Sequence, residues 1–214
     1  MRLLSALVLL ALVLVGCGPS ADNQQATFEA LEDRLLSAES FSLDFHVTAE
    51  GVIEANLEGS LRAASSGQVE LEARGTFLER ELEMHMVTDG DSLRMTTTEL
   101  SDAVALPAEV YEALAIGLTR MGILHNLASL STVTEPEHSE VGIGEWVTVG
   151  EFGTGTAGEH DGVSFGIFVE GQRTSGAVLA ILDGIPVERT QIVDFPGGAM
   201  TVRERYTDFA INPR

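Results

Sequence analysis

The chain contains no lysine. All twelve of its basic side chains are arginine, set against 33 Asp and Glu, and the formal charge is −21 at pH 7. A surface of that sign repels phosphate backbones and anionic headgroups. It excludes charge-driven nucleic-acid binding and argues against a peripheral membrane binder held by basic residues. Aromatic residues make up 6% of the chain and are not interleaved with arginine, so no base-stacking platform is present. Cysteine occurs once, at Cys17, so no internal disulfide staples the fold and a packed core must hold it. No apolar run reaches the roughly 20 residues that a membrane-spanning helix needs. There is no internal repeat and no low-complexity stretch. The lack of lysine beside abundant glutamate points to a salt-adapted or GC-rich source.

What the chain does have begins at its N-terminus. Arg2 precedes an apolar run from Leu3 to Val15 broken only by Ser5, the pattern of a removable export signal. The run closes on Leu14-Val15-Gly16-Cys17, which resembles a bacterial lipobox. That resemblance implies cleavage that removes residues 1–16, diacylation of the Cys17 thiol and acylation of the freed amine. Cys17 is therefore the expected lipid attachment site. Residues 17–24, which include Gly18-Pro19-Ser20, read as a short polar tether holding a single domain, residues 25–214, close to the bilayer.

A first helix is expected from about Gln25 to Ser40, with Phe28, Leu31, Leu35 and Ala38 on one face. From Phe41 the period changes to two. Leu43, Phe45, Val47 and Ala49 alternate with Asp44, His46 and Thr48; Ile53, Ala55, Leu57, Gly59 and Leu61 alternate with Glu54, Asn56, Glu58 and Ser60. Val69, Leu71 and Ala73 share a face, as do Leu82, Met84 and Met86, and the turn Asp89-Gly90-Asp91 leads to Leu93 and Met95. Strict alternation describes antiparallel strands with one apolar and one wet face. Leu106-Pro107 opens a second helical segment with Val110, Tyr111, Leu114 and Leu118 in a stripe and Gly122 as its stop. Arg120 is the only formal charge from Ala113 to Leu130, so this segment is either core or a lid over something apolar. Strands separated by glycine-rich turns return from about Trp146 to Phe209. The expected class is α+β: an antiparallel sheet of about 9–11 strands with two helical insertions.

Candidate chemistry is sparse. Gly162-Val163-Ser164-Phe165-Gly166 fits the G-x-S-x-G pattern, but a nucleophile elbow needs a strand-to-helix turn and a later histidine. Ser164 falls inside a predicted strand and His160 is the last histidine, so Ser164 reads as an ordinary strand residue. Glu135, Glu137, His138 and Glu140 flank Pro136 in a loop that suits solvation better than a cation. His46 and His85 fall on polar strand faces, and His125 lies in the apolar middle segment. No His, Cys or carboxylate set has catalytic or metal-ligand spacing, so neither an enzyme nor a metal or cofactor is expected. The unusual quantity is apolar sheet face, more than two helical segments obviously cover. A curved sheet with helices across its mouth would leave an apolar cavity, and a filled core is the other solution.

The order of elements resembles the LolA/LolB lipoprotein-carrier superfamily, which includes lipid-binding lipoproteins of the LppX/LprG type. The motifs are Ser40-Phe41-Ser42-Leu43-Asp44-Phe45, Gly59, Thr88-Asp89-Gly90, the helix near Pro107, Leu182-Asp183-Gly184-Ile185-Pro186, and Val202-Arg203-Glu204-Arg205-Tyr206-Thr207-Asp208-Phe209. The resemblance implies a half-open antiparallel barrel with a helical lid, binding acyl chains of a lipid or an acylated lipoprotein cargo on its concave side. Leu43, Phe45, Val47, Leu57, Leu82, Met84, Met86 and Leu93 are then the expected ligand contacts, with Leu114 and Leu118 in the lid. Cys17 places the chain with the membrane-anchored members, and by analogy Gly18 directs it to the outer membrane, facing the periplasm. The anchored receptor of that family carries an exposed apolar loop, for which the sequence identifies no equivalent. The alternative is an envelope adaptor with a filled core that binds a protein partner through its acidic face. If the source is salt-adapted, the mature domain will fold only at high salt; full folding and solubility in dilute buffer, read by circular dichroism, would exclude it.

Overall fold

The alternating segments assemble as two meanders sharing one sheet. The computed structural model describes residues 20–97, 101–106, 109–131 and 143–213. The signal segment, Cys17 and the Glu135–Glu140 loop lie outside the described residues. After helix α1 (Ala21–Leu36), the strands β1 (Ser40–Gly51), β2 (Ala55–Ala64), β3 (Val69–Phe77), β4 (Arg80–Asp89), β5 (Ser92–Thr97) and β6 (Ser101–Ala105) step outward by hairpins. The helical segment follows as α2 (Val110–Ile116), a π-helical turn (Gly117–Met121), α3 (Ile123–Ser131) and the short α4 (Ile143–Trp146). Then β7 (Val147–Ala157), β8 (His160–Val169), β9 (Gln172–Leu182), β10 (Ile185–Phe195) and β11 (Gly198–Ile211) step inward until β11 pairs with β1. The result is one antiparallel sheet of eleven strands, ordered β6-β5-β4-β3-β2-β1-β11-β10-β9-β8-β7. It is open, because β6 and β7 remain at its edges.

Turn chemistry sets the register. Asp183-Gly184 and Glu170-Gly171 take positive φ at both residues, the two-residue hairpin geometry that follows the twist of the strands. Bulges interrupt the ladders at Ser42–Asp44, Pro186–Glu188 and Gly150–Gly153, where extra residues bend the strands.

Helix α1 starts four residues before the expected Gln25, because the Ser20 side chain accepts from Asn23 N at 3.3 Å and caps the first turn. It stops at Leu36 instead of Ser40. Ser37 N closes the last turn on Asp33 O, and Ser40 is already paired with Ala64 in β1–β2. The central helix stops at Gly122 as expected, with φ of +92°, but its last turn is π-helical and a further helix follows the stop.

Phe28, Leu31 and Leu35 of α1 join the inward residues of both meanders and the lid in one buried cluster. At its centre Gly59 lies opposite Phe45, and a Cβ there would stand 1.9 Å from the Glu72 carbonyl oxygen and 2.7 Å from the Phe45 ring. Backbone would have to move to admit even a methyl group. Gly59→Ala should therefore lower stability by about 2–3 kcal/mol in urea unfolding.

Candidate functional site

The ten apolar positions singled out in the sequence fall on one side of the sheet and in its helical cover. Leu43, Phe45 and Val47 stand on β1, Leu57 on β2, Met84 and Met86 on β4, Leu93 on β5, Leu114 in α2 and Leu118 in the π-helical turn. All nine are at most 4% exposed. Leu82, near the start of β4, is half-buried and packs at the margin of the same cluster. The second meander adds Val163, Phe165, Ile167, Leu179 and Val202. Phe28 of α1 meets the Phe165 ring at 4.8 Å and Phe152 at 5.6 Å, so α1 covers the β7–β8 end. Two surface cavities, of about 570 and 610 Å³, are lined by none of the ten. The first opens beside the start of α2, between Leu36, Leu106 and Tyr111.

Across this apolar face runs a polar seam that ties sheet to cover. Arg189 of β10 is 1% exposed, and its guanidinium donates to the carbonyls of Thr119 at 2.9 Å and Arg120 at 2.6 Å. These are orphan carbonyls at the end of the π-helical turn. The same guanidinium donates to Gln191 Oε1 at 3.1 and 3.3 Å, and Gln191 donates to Ser175 Oγ at 3.1 Å. One turn onward, the Glu204 carboxylate of β11 accepts the backbone N–H groups of Ile123 and Leu124, both at 3.0 Å. The break at Gly122 is thus gripped by a cation on its carbonyl side and an anion on its amide side, matching the partial charges of helix ends. The Tyr206 hydroxyl donates to Glu204. Arg120 forks onto both oxygens of Glu32 in α1, at 2.9 and 2.7 Å, and donates to Gly144 O and Val147 O.

Burial perturbs three groups here. It pulls Arg189 below its ordinary value, opposed by Tyr206 and Glu204. It lifts Tyr206 well above the usual phenol range, with the Glu204 charge adding to the effect, so Tyr206 remains a donor. Burial, then the Arg189 charge, lowers His125 to about 4 from 6.5.

The alternation in Met200, Val202, Glu204 and Tyr206 was a usable signal for Glu204, because those residues share a face. No signal marked Arg189, since the bulge at Pro186–Glu188 resets the phase of β10 just before it. Ser164 lies within the β8 ladder opposite Val178, and His160 is held by Glu188 at 2.8 Å. His46 bonds Asn56 at 2.8 Å on the outer face.

No protein-family model and no curated protein matches the chain. Among solved structures it is similar to the lipoprotein LppX of Mycobacterium tuberculosis, at 11% identity and a TM-score of 0.45, over 91% of this chain and 98% of that one. A LolA-superfamily protein from Nitrosomonas europaea aligns at 9% identity and a TM-score of 0.45, over 89% and 94%. MucB aligns at 18% identity and a TM-score of 0.41 over 91% of this chain, which spans 60% of MucB.

Two predictions follow from the seam. Gly122 has left-handed φ, and a Cβ on it would stand 2.6 Å from the Glu204 carboxylate. Gly122→Ala and Arg189→Met should each cost about 2–4 kcal/mol. In hydrogen exchange the amides of residues 113–127 should lose protection before those of β1 and β2. The sign for His125 is set by its lowered value: between pH 6.5 and about 4 the unfolded chain takes up a proton that the folded chain refuses. The stabilisation is complete above 6.5 and lost as pH falls through 4. His125→Asn should flatten the wild-type decline in stability across that window, measured by urea unfolding at each pH.

Proposed function

We propose that this chain is a non-catalytic, membrane-anchored lipoprotein that holds acyl chains, of a lipid or an acylated lipoprotein, on the concave side of a half-open barrel. Cys17 would tie it to the membrane, on the outer-membrane side facing the periplasm. No helix among the described residues is long and apolar enough to cross a membrane. The observation that carries the reading is the pairing of a sheet face that is apolar outside the seam with a cover fixed by a few directional polar bonds. A continuous apolar joint would have to be peeled; the grip of Arg189 and Glu204 on the break at Gly122 can open and re-form. Leu43, Phe45, Val47, Leu57, Leu82, Met84, Met86 and Leu93 are the proposed contacts beneath it, with Leu114 and Leu118 above. Each methylene buried there contributes about 0.8 kcal/mol, so one long chain binds without polar contacts.

A second feature supports exchange at a membrane. Val52, Leu78 and Phe195 are 41%, 52% and 39% exposed at the tips of three hairpins. Backbone bonds from Val52 N to Ala199 O and from Leu78 N to Glu54 O bring the three tips to one end of the sheet. Leu78 sits at φ of 49°, a left-handed conformation that a branched apolar residue rarely adopts. We assign it the part of the exposed apolar loop found in the anchored receptor.

The test is titration of the domain lacking Cys17 with a fluorescent long-chain fatty acid. Saturable binding of about one chain per domain is expected, with faster uptake when Arg189→Met loosens the cover. A folded domain that takes up no probe in either form would refute the reading. Leu78→Asn should raise stability by up to about 1 kcal/mol while slowing probe delivery to phosphatidylcholine vesicles.

A further inference from the structure

Ion pairs organise the wet face of the sheet. Arg62 meets Glu70, Arg74 meets Glu58 and Arg203 meets Glu50 across neighbouring strands, and Arg173 of β9 reaches over β8 to Glu151 of β7. Glu72 and His85 depart from that pattern. They are direct partners in the β3–β4 register, yet neither side chain has a hydrogen bond or ion pair among the described residues. Glu70 lies two residues from Glu72 on the same strand face. One ligand atom from each of Glu70, Glu72 and His85 lies within 4.8 Å of the other two. Glu70 gives one oxygen, Oε2, to Arg62 at 3.1 Å and keeps the other.

Two carboxylates at neighbouring positions of one face repel, and the imidazole opposite them has a ring nitrogen that can ligate a cation. A divalent cation would relieve that repulsion and engage all three groups. Ligand bonds of about 2.0–2.2 Å bring the ligand atoms of a tetrahedral zinc site about 3.3–3.6 Å apart. Closing from the present spacing takes about an ångström of side-chain rotation. The exposed Glu72 and His85 can make it freely, while the β2–β3–β4 ladder holds their backbones still. We propose that Glu70, Glu72 and His85 form a surface site for a divalent transition cation of the zinc type, with water completing its shell. The imidazole nitrogen favours such an ion over calcium or magnesium, which take oxygen ligands almost exclusively. The site ties β3 to β4 and is independent of the acyl-chain reading.

Calorimetric titration of the Cys17-free domain with zinc chloride in a non-coordinating buffer tests it. Saturation at one zinc per chain is expected, with calcium at equal concentration failing to compete. His85→Ala and Glu72→Gln should each weaken binding about tenfold or more. His46→Ala, whose imidazole already serves Asn56, should leave it unchanged. Non-saturable uptake, or a site that survives His85→Ala at full affinity, would overturn the proposal, since the ion would then be held by the acidic surface at large.

Discussion

A sheet of eleven strands with one apolar face has to be covered, and among the described residues four helices and a π-helical turn are there for the task. The rest of the structure answers that constraint. Helices of two or three turns are marginal by themselves, and apolar docking through Leu114, Leu118, Ile123 and Leu127 gives them adhesion without direction. Direction comes from the polar seam. Arg189 and Glu204, on neighbouring strands and directly paired in register, hold the two sides of the break at Gly122 with charges of opposite sign. Arg120 then fixes the cover to α1 and to the start of β7. A fully buried guanidinium and carboxylate are expensive to desolvate, and they contribute only while every bond in the set is made. The set therefore contributes as a unit, and losing one partner leaves the others buried and unpaired.

How much of this was legible in the sequence depends on period. A strand's two-residue repeat is visible wherever ladders run unbroken, so the inward faces of β1 to β5, from Leu43 through Leu93, could be read directly. The resemblance to the LolA/LolB superfamily was legible as well, in short motifs spread along the chain. Helix limits were less legible, because they depend on caps. Ser20 extends α1 backward into what reads as a polar tether, and the demands of the β1 ladder shorten it at the other end.

The polar seam could not be read as a unit, for two physical reasons. Bulges shift phase without a residue signature, and the one at Pro186–Glu188 buries Glu188 and the adjacent Arg189 together. The π-helical turn from Gly117 to Met121 is stabilised by tertiary partners: Asn126 donates to Leu114 O, and Arg189 takes the terminal carbonyls. Neither contact has a local pattern. The hairpin tips show the same limit from the other side. Leu78 in a left-handed turn runs against local preference, and only the fold places it beside Val52 and Phe195 at one exposed end.

The deciding question is whether the face beneath the cover holds acyl chains in the cell. The most direct measurement is mass spectrometry of the mature domain, made without Cys17 and purified from its own host, comparing native and denatured spectra. A lipid-sized mass carried by the native protein and released only on denaturation is the predicted result, and it would identify the cargo. A clean apo mass, unchanged after incubation with host lipid extract, would contradict the account and leave the buried face as a filled core.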